Sequence, residues 1–319
     1  MINLSKLTII IVTYKTKIEI LDNCLRSIGK NIKIKIIENS NEIGKYDEIF
    51  LNKYEGLTVD YTGKNLGYGG GNNYGFKITD TDFALVSNPD IVFEEDFFRN
   101  IEKYLNHDFG FSIIGTSYKN DKIYMPYGFF KENRKMINKK IYSNDLDPIY
   151  SPLKKVDWVT GCAMLVNLKK FEKKEIFDEN FFLYFEEFDL CKQIEMNKEN
   201  VFSSADLLVH HLGFKGSFAA DPVLKLDAEK LREWHWMWST FYFYKKNYGY
   251  LFAIRKTIGK LLRAFFKMLF YKITFNSYLK NKYKFRFYGL INGIIGKTSW
   301  YRVNSKFQWP GNSTKFSTL

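Results

Sequence analysis

The sequence predicts an α/β fold in which a mostly parallel sheet is flanked by helices. Segment 7–14, LTIIIVTY, is a continuous β-branched run without period-2 alternation, which is typical of a strand covered on both faces. Strand-like runs recur at 32–39, 57–63 and 83–88, and segment 18–28 carries a helical apolar stripe. Strands that alternate with helices form right-handed crossovers, so these runs predict a parallel sheet.

Polar residues follow three of these predicted strands. They are Thr13-Tyr14, Glu38-Asn39-Ser40 and Asn88-Pro89-Asp90. Ligands of open α/β sheets bind beyond the carboxyl ends of the strands, so we expect these residues to lie at a binding edge. A loop-rich region at about 116–155 separates this half from a second one that contains the motif-bearing segments 156–167, 181–196 and 205–217.

Charge is distributed unevenly along the chain. The net charge is +13, but residues 241–319 hold 16 Lys or Arg and no Asp or Glu, which leaves residues 1–240 at −3. The three cysteines, Cys24, Cys162 and Cys191, are widely spaced and odd in number, which favours a reduced, cytosolic compartment over a disulfide framework. No run reaches the roughly 18 apolar residues of a membrane span, so we expect a soluble or peripheral protein.

Segment 63–76, GKNLGYGGGNNYGF, is glycine-rich and lies between a strand and a helical pattern. Glycines there let the backbone approach a ligand, and amides at a helix start can face an anion. A dinucleotide fingerprint would follow the first strand, whereas this segment follows the third. A tight turn without a ligand is the alternative.

Asn88-Pro89-Asp90 also has two interpretations. Asp90 could cap a helix whose first turn holds Glu94, Glu95 and Asp96. Alternatively, its carboxylate binds a hard divalent cation at the edge of the sheet.

Two further motifs carry titratable groups. Glu186, Glu187 and Asp189 directly follow the aromatic run FFLYF, where burial could raise a pKa and create a general base; a solvated first helical turn is the alternative. His210 and His211 end another apolar run, and only one of them can face a given site because side chains alternate along a strand. A structural His pair is the alternative.

Read in order, the segments IIIVTYK, IIENSN, KNLGYGGGNNYG, LVSNPDIVF, VDWVTGCAMLV, FFLYFEEFDLC and VHHLGFKGS resemble inverting glycosyltransferases of family two. The resemblance is closest to the rhamnosyltransferase-like branch of the GT-A fold and covers roughly residues 7–217. It implies a GT-A domain over 1–225, with a nucleotide-binding half at about 1–115 and an acceptor half at about 150–225. A helical, basic region would occupy 226–319.

The resemblance also implies roles for matching positions. The base pocket would contain Thr13, Tyr14, Glu38 and Asn39, the ribose and diphosphate would lie beside Asn65, Gly67, Gly70 and Asn72, and the donor-sugar and acceptor site would be shaped by Trp158, Gly161 and Cys162. Asn88-Pro89-Asp90 would be the metal motif for Mg²⁺ or Mn²⁺, with Asp90 as its carboxylate. One of His210 and His211 would be a further ligand, and the H-x-x-G spacing to Gly213 favours His210.

In the acidic motif, relatives usually show Glu-Asp, whereas this chain has Glu186-Glu187. The resemblance then implies Glu187 as the catalytic base for an acceptor hydroxyl, with Glu186 beside it. The expected donor is dTDP-rhamnose or a UDP-hexose, and the expected acceptor is a glycan or a polyprenyl-diphosphate-linked sugar of surface-polysaccharide assembly. A nucleotidyltransferase and a catalytically silent interaction protein that keeps the fold are the alternatives.

The C-terminal region predicts a long amphipathic helix over 251–275. Lys256, Lys260, Arg263 and Lys267 form one helical stripe, and Leu and Ile with Phe265 form another. This pattern favours attachment to an anionic membrane surface, on the inner face of the cell membrane, over nucleic-acid binding. A helix packed on its own domain with solvated lysines is the alternative.

Overall fold

The computed structural model describes residues 4–107, 109–119, 123–130, 136–139, 152–213 and 225–302. The chain divides into two compact units, Met1–Pro222 and Val223–Leu319.

The first unit is built on a mixed sheet flanked by helices. Its strands are β1 (Leu7–Thr13), β2 (Lys33–Glu38), β3 (Leu57–Tyr61), β4 (Phe83–Ser87), β5 (Ile91–Phe93), β6 (Phe111–Lys119), β7 (Ile123–Tyr124), β8 (Tyr127–Phe130), β9 (Met136–Lys139), β10 (Leu153–Val156), β11 (Trp158–Val159), β12 (Ala163–Asn167) and β13 (Asn200–His211). Its helices are α1 (Ile18–Arg26), α2 (Asp47–Phe50), α3 (Gly67–Lys77), α4 (Phe97–Asn106) and α5 (Glu186–Met196).

The main sheet has the order β10-β13-β6-β12-β4-β1-β2-β3, with β5 paired to β13 and β7 paired to β6. Strands β1 to β4 pair in parallel, as the sequence predicts. Beyond β4, the strand β12 runs antiparallel between β4 and β6. Ile9, Ile10 and Ile11 of β1 are fully buried, because helices cover both faces of the parallel half.

The glycine-rich segment does not precede a helix or form a tight turn, as the sequence suggested: helix α3 begins at Gly67 and contains most of its glycines. Two of them face the sheet: a Cβ on Gly71 would lie 2.7 Å from Val12 Cγ1, and one on Gly75 would lie 2.5 Å from Ile10 Cγ2. Close packing on β1 therefore outweighs the low helix propensity of glycine.

The expected loop-rich region at 116–155 is wrong for the residues described there. Residues 111–119 form a long strand of the main sheet, and β8, β9 and β11 form a small antiparallel sheet. Strands of two to four residues show no readable periodicity, which is why the sequence did not predict them. The rest of the expected loop, at 120–122, 131–135 and 140–151, lies outside the described residues.

The second unit contains three long helices, α6 (Lys225–Tyr248), α7 (Tyr250–Ile273) and α8 (Ser277–Ile294). Met237 and Phe241 of α6, Ala253 of α7 and Leu290 of α8 form a buried apolar cluster between them. Helix α7 corresponds to the amphipathic helix predicted over 251–275. None of the helices described here combines the length and the apolarity that a membrane crossing would need.

The contact between α3 and β1 yields a stability prediction. Gly75→Ala places a methyl group against buried Ile10, and we expect overpacking to lower the free energy of unfolding by about 1–3 kcal/mol. Gly259→Ala is the matched control: it lies in helix α7 with open space around it, so we expect a gain of roughly 0.5–1 kcal/mol. Chemical denaturation measures both changes, and an unchanged stability of Gly75→Ala would contradict the close approach.

Candidate active site

Three parallel strands bring their polar ends to one edge of the sheet. Thr13 is the register partner of Glu38 across β1 and β2, and Ile11 is the partner of Ser87 across β1 and β4. The residues that follow these strands, Asn39 and the segment 88–90, therefore lie at the same edge. This is the placement that the sequence predicts.

Glu38 ties the ends of β1 and β2 together. Its carboxylate accepts a hydrogen bond from Thr13 Oγ1 at 2.7 Å and one from the Lys15 amide at 3.3 Å. The side chain is fully buried, and the neighbouring Tyr14 is half-buried. Glu38 thus fixes the backbone on both sides of Tyr14, and with it the position from which Tyr14 could contact a ligand.

Asn39 holds the start of helix α3. Its Nδ2 donates to Gly67 O at 2.9 Å, and its Oδ1 accepts from Leu66 N at 2.9 Å. Asn65 Oδ1 accepts from Gly67 N at 2.9 Å. Gly67 has a φ of +81°, and a Cβ there would overlap Phe182 O, so only glycine permits this approach.

Further along α3, the side chains belong to the helix itself. A Cβ on Gly70 would lie 2.9 Å from the Leu66 side chain, so this glycine packs within the first turn. Asn72 Nδ2 donates to Tyr68 O at 2.9 Å, while its buried Oδ1 has no hydrogen-bond partner within the described part of the chain.

Asp90 is a buried carboxylate at the end of β4, with 3% of its surface exposed. The interpretation of Asp90 as a helix cap is wrong, because β5 follows it and α4 begins only at Phe97. Asp90 Oδ1 lies 3.5 Å from His211 Nε2, and Asp90 O accepts from Leu212 N at 3.0 Å. A carboxylate and an imidazole therefore meet at the sheet edge.

The two histidines of β13 face different partners. His210 Nε2 contacts the Glu94 carboxylate, which also pairs with Lys119 Nζ at 2.7 Å. Successive side chains of a strand point to opposite faces, so His211 is left on the side of Asp90. The geometry thus favours His211 as a ligand, against the expectation for His210.

Glu186 and Glu187 open helix α5 directly after the aromatic segment 181–185. Tyr184 and Phe185 adopt φ values of +70° and +73°, a left-handed conformation that is costly for bulky residues. Glu186 is only 4% exposed and Glu187 is half-buried, so a solvated first turn is wrong for this helix.

Burial changes the protonation of this acid pair. It raises the pKa of Glu187 to about 7. Burial, and after it the charge of Glu187, raises the pKa of Glu186 well above its ordinary value. At neutral pH Glu186 therefore keeps its proton, and Glu187 is the carboxyl group that can exchange one.

Segment 158–162 lies between the acid pair and Asp90. A Cβ on Gly161 would lie 3.4 Å from Glu187 Cβ, and Gly161 O accepts a hydrogen bond from the Tyr68 hydroxyl. Cys162 O accepts from Asn88 N at 2.8 Å. The backbone of two consecutive residues therefore lies beside Glu187 on one side and is tied to the segment 88–90 on the other.

Trp158 supports the acid pair from the other side. Its buried ring meets the Phe188 ring edge-on, with 4.8 Å between the centroids. Its Nε1 has no hydrogen-bond partner in the described region, and neither does Glu186 Oε2. Two unsatisfied buried polar atoms near one acid pair are typical of a site that binds a polar ligand.

A family comparison identifies this arrangement. Residues 8–156 match the model described as Glycosyl transferase family 2. Over these residues the chain is similar to glycosyl transferase family 2, the family that the sequence motifs resemble. Its sheet has the GT-A fold: the structure of GalNAc-T7 with UDP, GalNAc and Mn²⁺ matches with a TM-score of 0.53 at 10% identity, over 65% of this chain and 43% of that one.

Two curated relatives agree with the expected branch. Rhamnosyltransferase WbbL of Escherichia coli K12 is 26% identical over 186 residues, which is 51% of this chain and 66% of the relative. Low-salt glycan biosynthesis hexosyltransferase Agl10 of Haloferax volcanii is 25% identical over 213 residues, which is 62% of this chain and 64% of the relative. The chain thus spans slightly less than two thirds of each relative's length.

Two tyrosines of the first unit were missed by the sequence reasoning. Tyr68 donates to Gly161 O, and burial followed by the charge of Glu187 raises the pKa of its hydroxyl, so it stays a neutral donor. Tyr118 contacts Cys162 Sγ, and its ring centroid lies 5.7 Å from that of His211. In the sequence, Tyr68 is distinguished only as an aromatic residue within the glycine-rich segment. No sequence feature distinguishes Tyr118.

The raised pKa of Glu187 predicts how stability depends on pH. The folded state holds this proton more tightly than the unfolded chain between pH values of about 4.5 and 7, so folding stability falls as pH rises through that window. Glu187→Gln removes the buried charge, and we expect it to be about 1–3 kcal/mol more stable than the parent at pH 8.

The gain should vanish as the pH falls below about 4.5, where Glu187 becomes protonated in the unfolded chain as well as in the folded state. Glu55→Gln is the control, because Glu55 is exposed on the surface and should show no such pH-dependent difference. Thermal unfolding of the three proteins across this pH range measures the effect, and a Glu187→Gln variant less stable than the parent at pH 8 would refute the buried charge.

Proposed function

We propose that the protein is an inverting, metal-dependent glycosyltransferase that moves a sugar from a nucleoside diphosphate to an acceptor hydroxyl. One observation carries the proposal: the 161–162 backbone lies beside the side chain of Glu187, whose carboxyl pKa is about 7, and is hydrogen-bonded on its other side to Asn88, two residues before Asp90. A base and a phosphate-side carboxylate are the two groups that this transfer needs.

The donor atoms at the sheet edge fit a hard divalent cation. Asp90 offers a buried carboxylate and His211 an imidazole nitrogen 3.5 Å from it. The described residues hold no group of three or more His, Cys, Asp or Glu side chains placed as a metal site. Two protein ligands are sufficient for Mg²⁺ or Mn²⁺ that is also bound by substrate phosphates. Held there, such an ion would supply positive charge to offset that of the departing diphosphate.

Glu187 is the base of the proposed reaction. Its carboxylate accepts the proton of the acceptor hydroxyl while the oxygen attacks the anomeric carbon from the face opposite the leaving group, so the configuration inverts. A pKa of about 7 leaves a substantial ionised fraction at neutral pH and keeps the proton affinity high. Glu186, held neutral by burial, adds no second charge, and Tyr68 fixes the backbone at Gly161.

The relatives' names support the substrate class of the proposal. One is named a rhamnosyltransferase and the other a hexosyltransferase of glycan biosynthesis. We therefore propose dTDP-rhamnose or a UDP-hexose as donor, and a glycan or polyprenyl-diphosphate-linked sugar as acceptor. Release of nucleoside diphosphate from a panel of nucleotide sugars, with Mn²⁺ or EDTA, tests this; no metal-dependent turnover of any donor would refute it.

Replacing the base should abolish transfer while leaving donor binding intact. We expect Glu187→Gln to lower kcat at least about 100-fold, because general base catalysis contributes roughly 10²–10⁴. Glu187→Asp keeps the carboxylate but shortens it, and should retain part of the activity. Glu95→Gln, at an exposed position, is the control. In the parent enzyme kcat/KM should rise with pH up to about 7 and then level, since the base acts in its ionised form.

The histidine pair offers a matched test of the metal site. His211→Gln should weaken Mn²⁺-dependent binding of a nucleoside diphosphate by about tenfold or more, because the imidazole beside Asp90 is lost. His210→Gln alters the adjacent residue, which contacts Glu94 instead, and should bind normally. Titration calorimetry with UDP and dTDP, with and without Mn²⁺, measures both. The opposite ranking would assign the ligand to His210.

A further inference from the structure

Helix α7 has an unusual distribution of side chains. Its fully buried residues are small: Ala253, Thr257 and Ala264. Its large apolar side chains are exposed instead, with Leu262 at 50% and Phe266 at 62%. An amphipathic helix of a globular unit normally does the reverse, so the unit itself leaves the larger apolar face of α7 uncovered.

The two faces are opposite each other. At 3.6 residues per turn, the buried small residues fall on one stripe, which packs on α6 and α8. The exposed apolar residues fall on the stripe about half a turn away, and they are Leu251, Ile258, Leu262, Phe265, Phe266, Leu269 and Ile273. We call this stripe the outer face of α7. It runs the length of a helix about 36 Å long.

The turn after α7 extends the outer face. Phe275 is 91% exposed and Tyr278 is 53% exposed, and Phe270 at the end of α7 is 58% exposed. Aromatic rings with this much free surface suit the boundary between lipid headgroups and acyl chains.

Charge on α7 is of one sign. The helix contains six Lys or Arg and no Asp or Glu, and residues 250–302 contain twelve Lys or Arg and again no acid. Arg255 and Lys272 are exposed and lie on or beside the outer face. Lys256, Lys260, Arg263 and Lys267, at i, i+4, i+7 and i+11, form a row on another side of the helix, where Lys267 Nζ donates to the Tyr283 hydroxyl of α8. An apolar face with exposed basic residues and no acidic ones is the pattern of a helix that lies in an anionic lipid surface.

We propose that the outer face of α7 and the turn at 274–278 form a docking surface for an anionic membrane, with α7 lying in the plane of the interface. This deepens the membrane partner expected for a glycosyltransferase that uses a lipid-linked acceptor, and in that respect rests on the proposed function. A second copy of the chain is a poorer occupant, because pairing two outer faces would bring Arg255 and Lys272 of both copies together, and α7 holds no acidic residue to pair with them.

Vesicle binding by the full chain tests the proposal without reference to sugar transfer. We expect cosedimentation with vesicles of phosphatidylcholine and phosphatidylglycerol, weakened by added salt, and little binding to phosphatidylcholine alone. The triple variant Phe266→Ser, Phe270→Ser, Phe275→Ser should bind at least about tenfold more weakly. The charge variant Arg255→Gln, Arg263→Gln, Lys272→Gln should lose about fivefold per charge.

Matched controls lie in the first unit. Ile43→Ser removes an apolar side chain that is 77% exposed, and Lys30→Gln removes an exposed charge; both should bind like the parent. Failure to bind anionic vesicles, or equal binding by the triple variant, would overturn the proposal. So would a dimer in light scattering that the triple variant converts to a monomer, since the outer face would then contact a second copy. Metal-dependent hydrolysis of a water-soluble nucleotide sugar is measured separately and reports on the proposed chemistry alone.

Discussion

Helix α3 can lie directly on strand β1 because Gly71 and Gly75 have no side chains to separate them, and the candidate site depends on this contact. It brings the start of the helix close enough for Asn39 to hold it by two hydrogen bonds. Gly67 then meets the carbonyl of Phe182, which fixes the aromatic segment just before the acid pair. The position of Glu187 is thus set, through a chain of close backbone approaches, by the face that α3 presents to β1.

The conformation and burial of the acid pair, Glu186 and Glu187, lower the stability of the folded state, and favourable interactions elsewhere in the unit must compensate. Two consecutive left-handed residues, Tyr184 and Phe185, precede one buried and one half-buried carboxyl group. Each feature alone is unfavourable, and their coincidence at a helix start is what local sequence rules would avoid. Burial of both acids makes it costly to ionise either, and their mutual repulsion makes it costlier to ionise both. One proton is therefore retained by the pair at neutral pH, which is the condition for a single base of high proton affinity.

The parallel half of the sheet could be predicted from the sequence, because continuous β-branched runs are typical of strands that are buried on both faces. Asp90 could be placed at the sheet edge because it lies just after one of these runs. The choice between His210 and His211 was not readable. It depends on the register of β13, which pairs His211 with Ile91, the neighbour of Asp90. The helical state of the glycine-rich segment was hidden for a similar reason, since a tertiary contact with β1 outweighs local propensity. Tyr68 becomes relevant only when segment 158–162 is placed beside it.

Segment 158–162 connects the acid pair to the sheet edge that carries Asp90. Consecutive carbonyl groups, those of Gly161 and Cys162, accept hydrogen bonds from Tyr68 on α3 and from the Asn88 amide next to Asp90. A displacement of either donor therefore moves the same short stretch of backbone. The stretch has little freedom to absorb such a movement, because a Cβ on Gly161 would already lie 3.1 Å from the Tyr68 hydroxyl and 3.4 Å from Glu187 Cβ. The relative positions of Asp90 and Glu187 are thus fixed by the backbone itself, which is where a precise arrangement of functional groups is best supported.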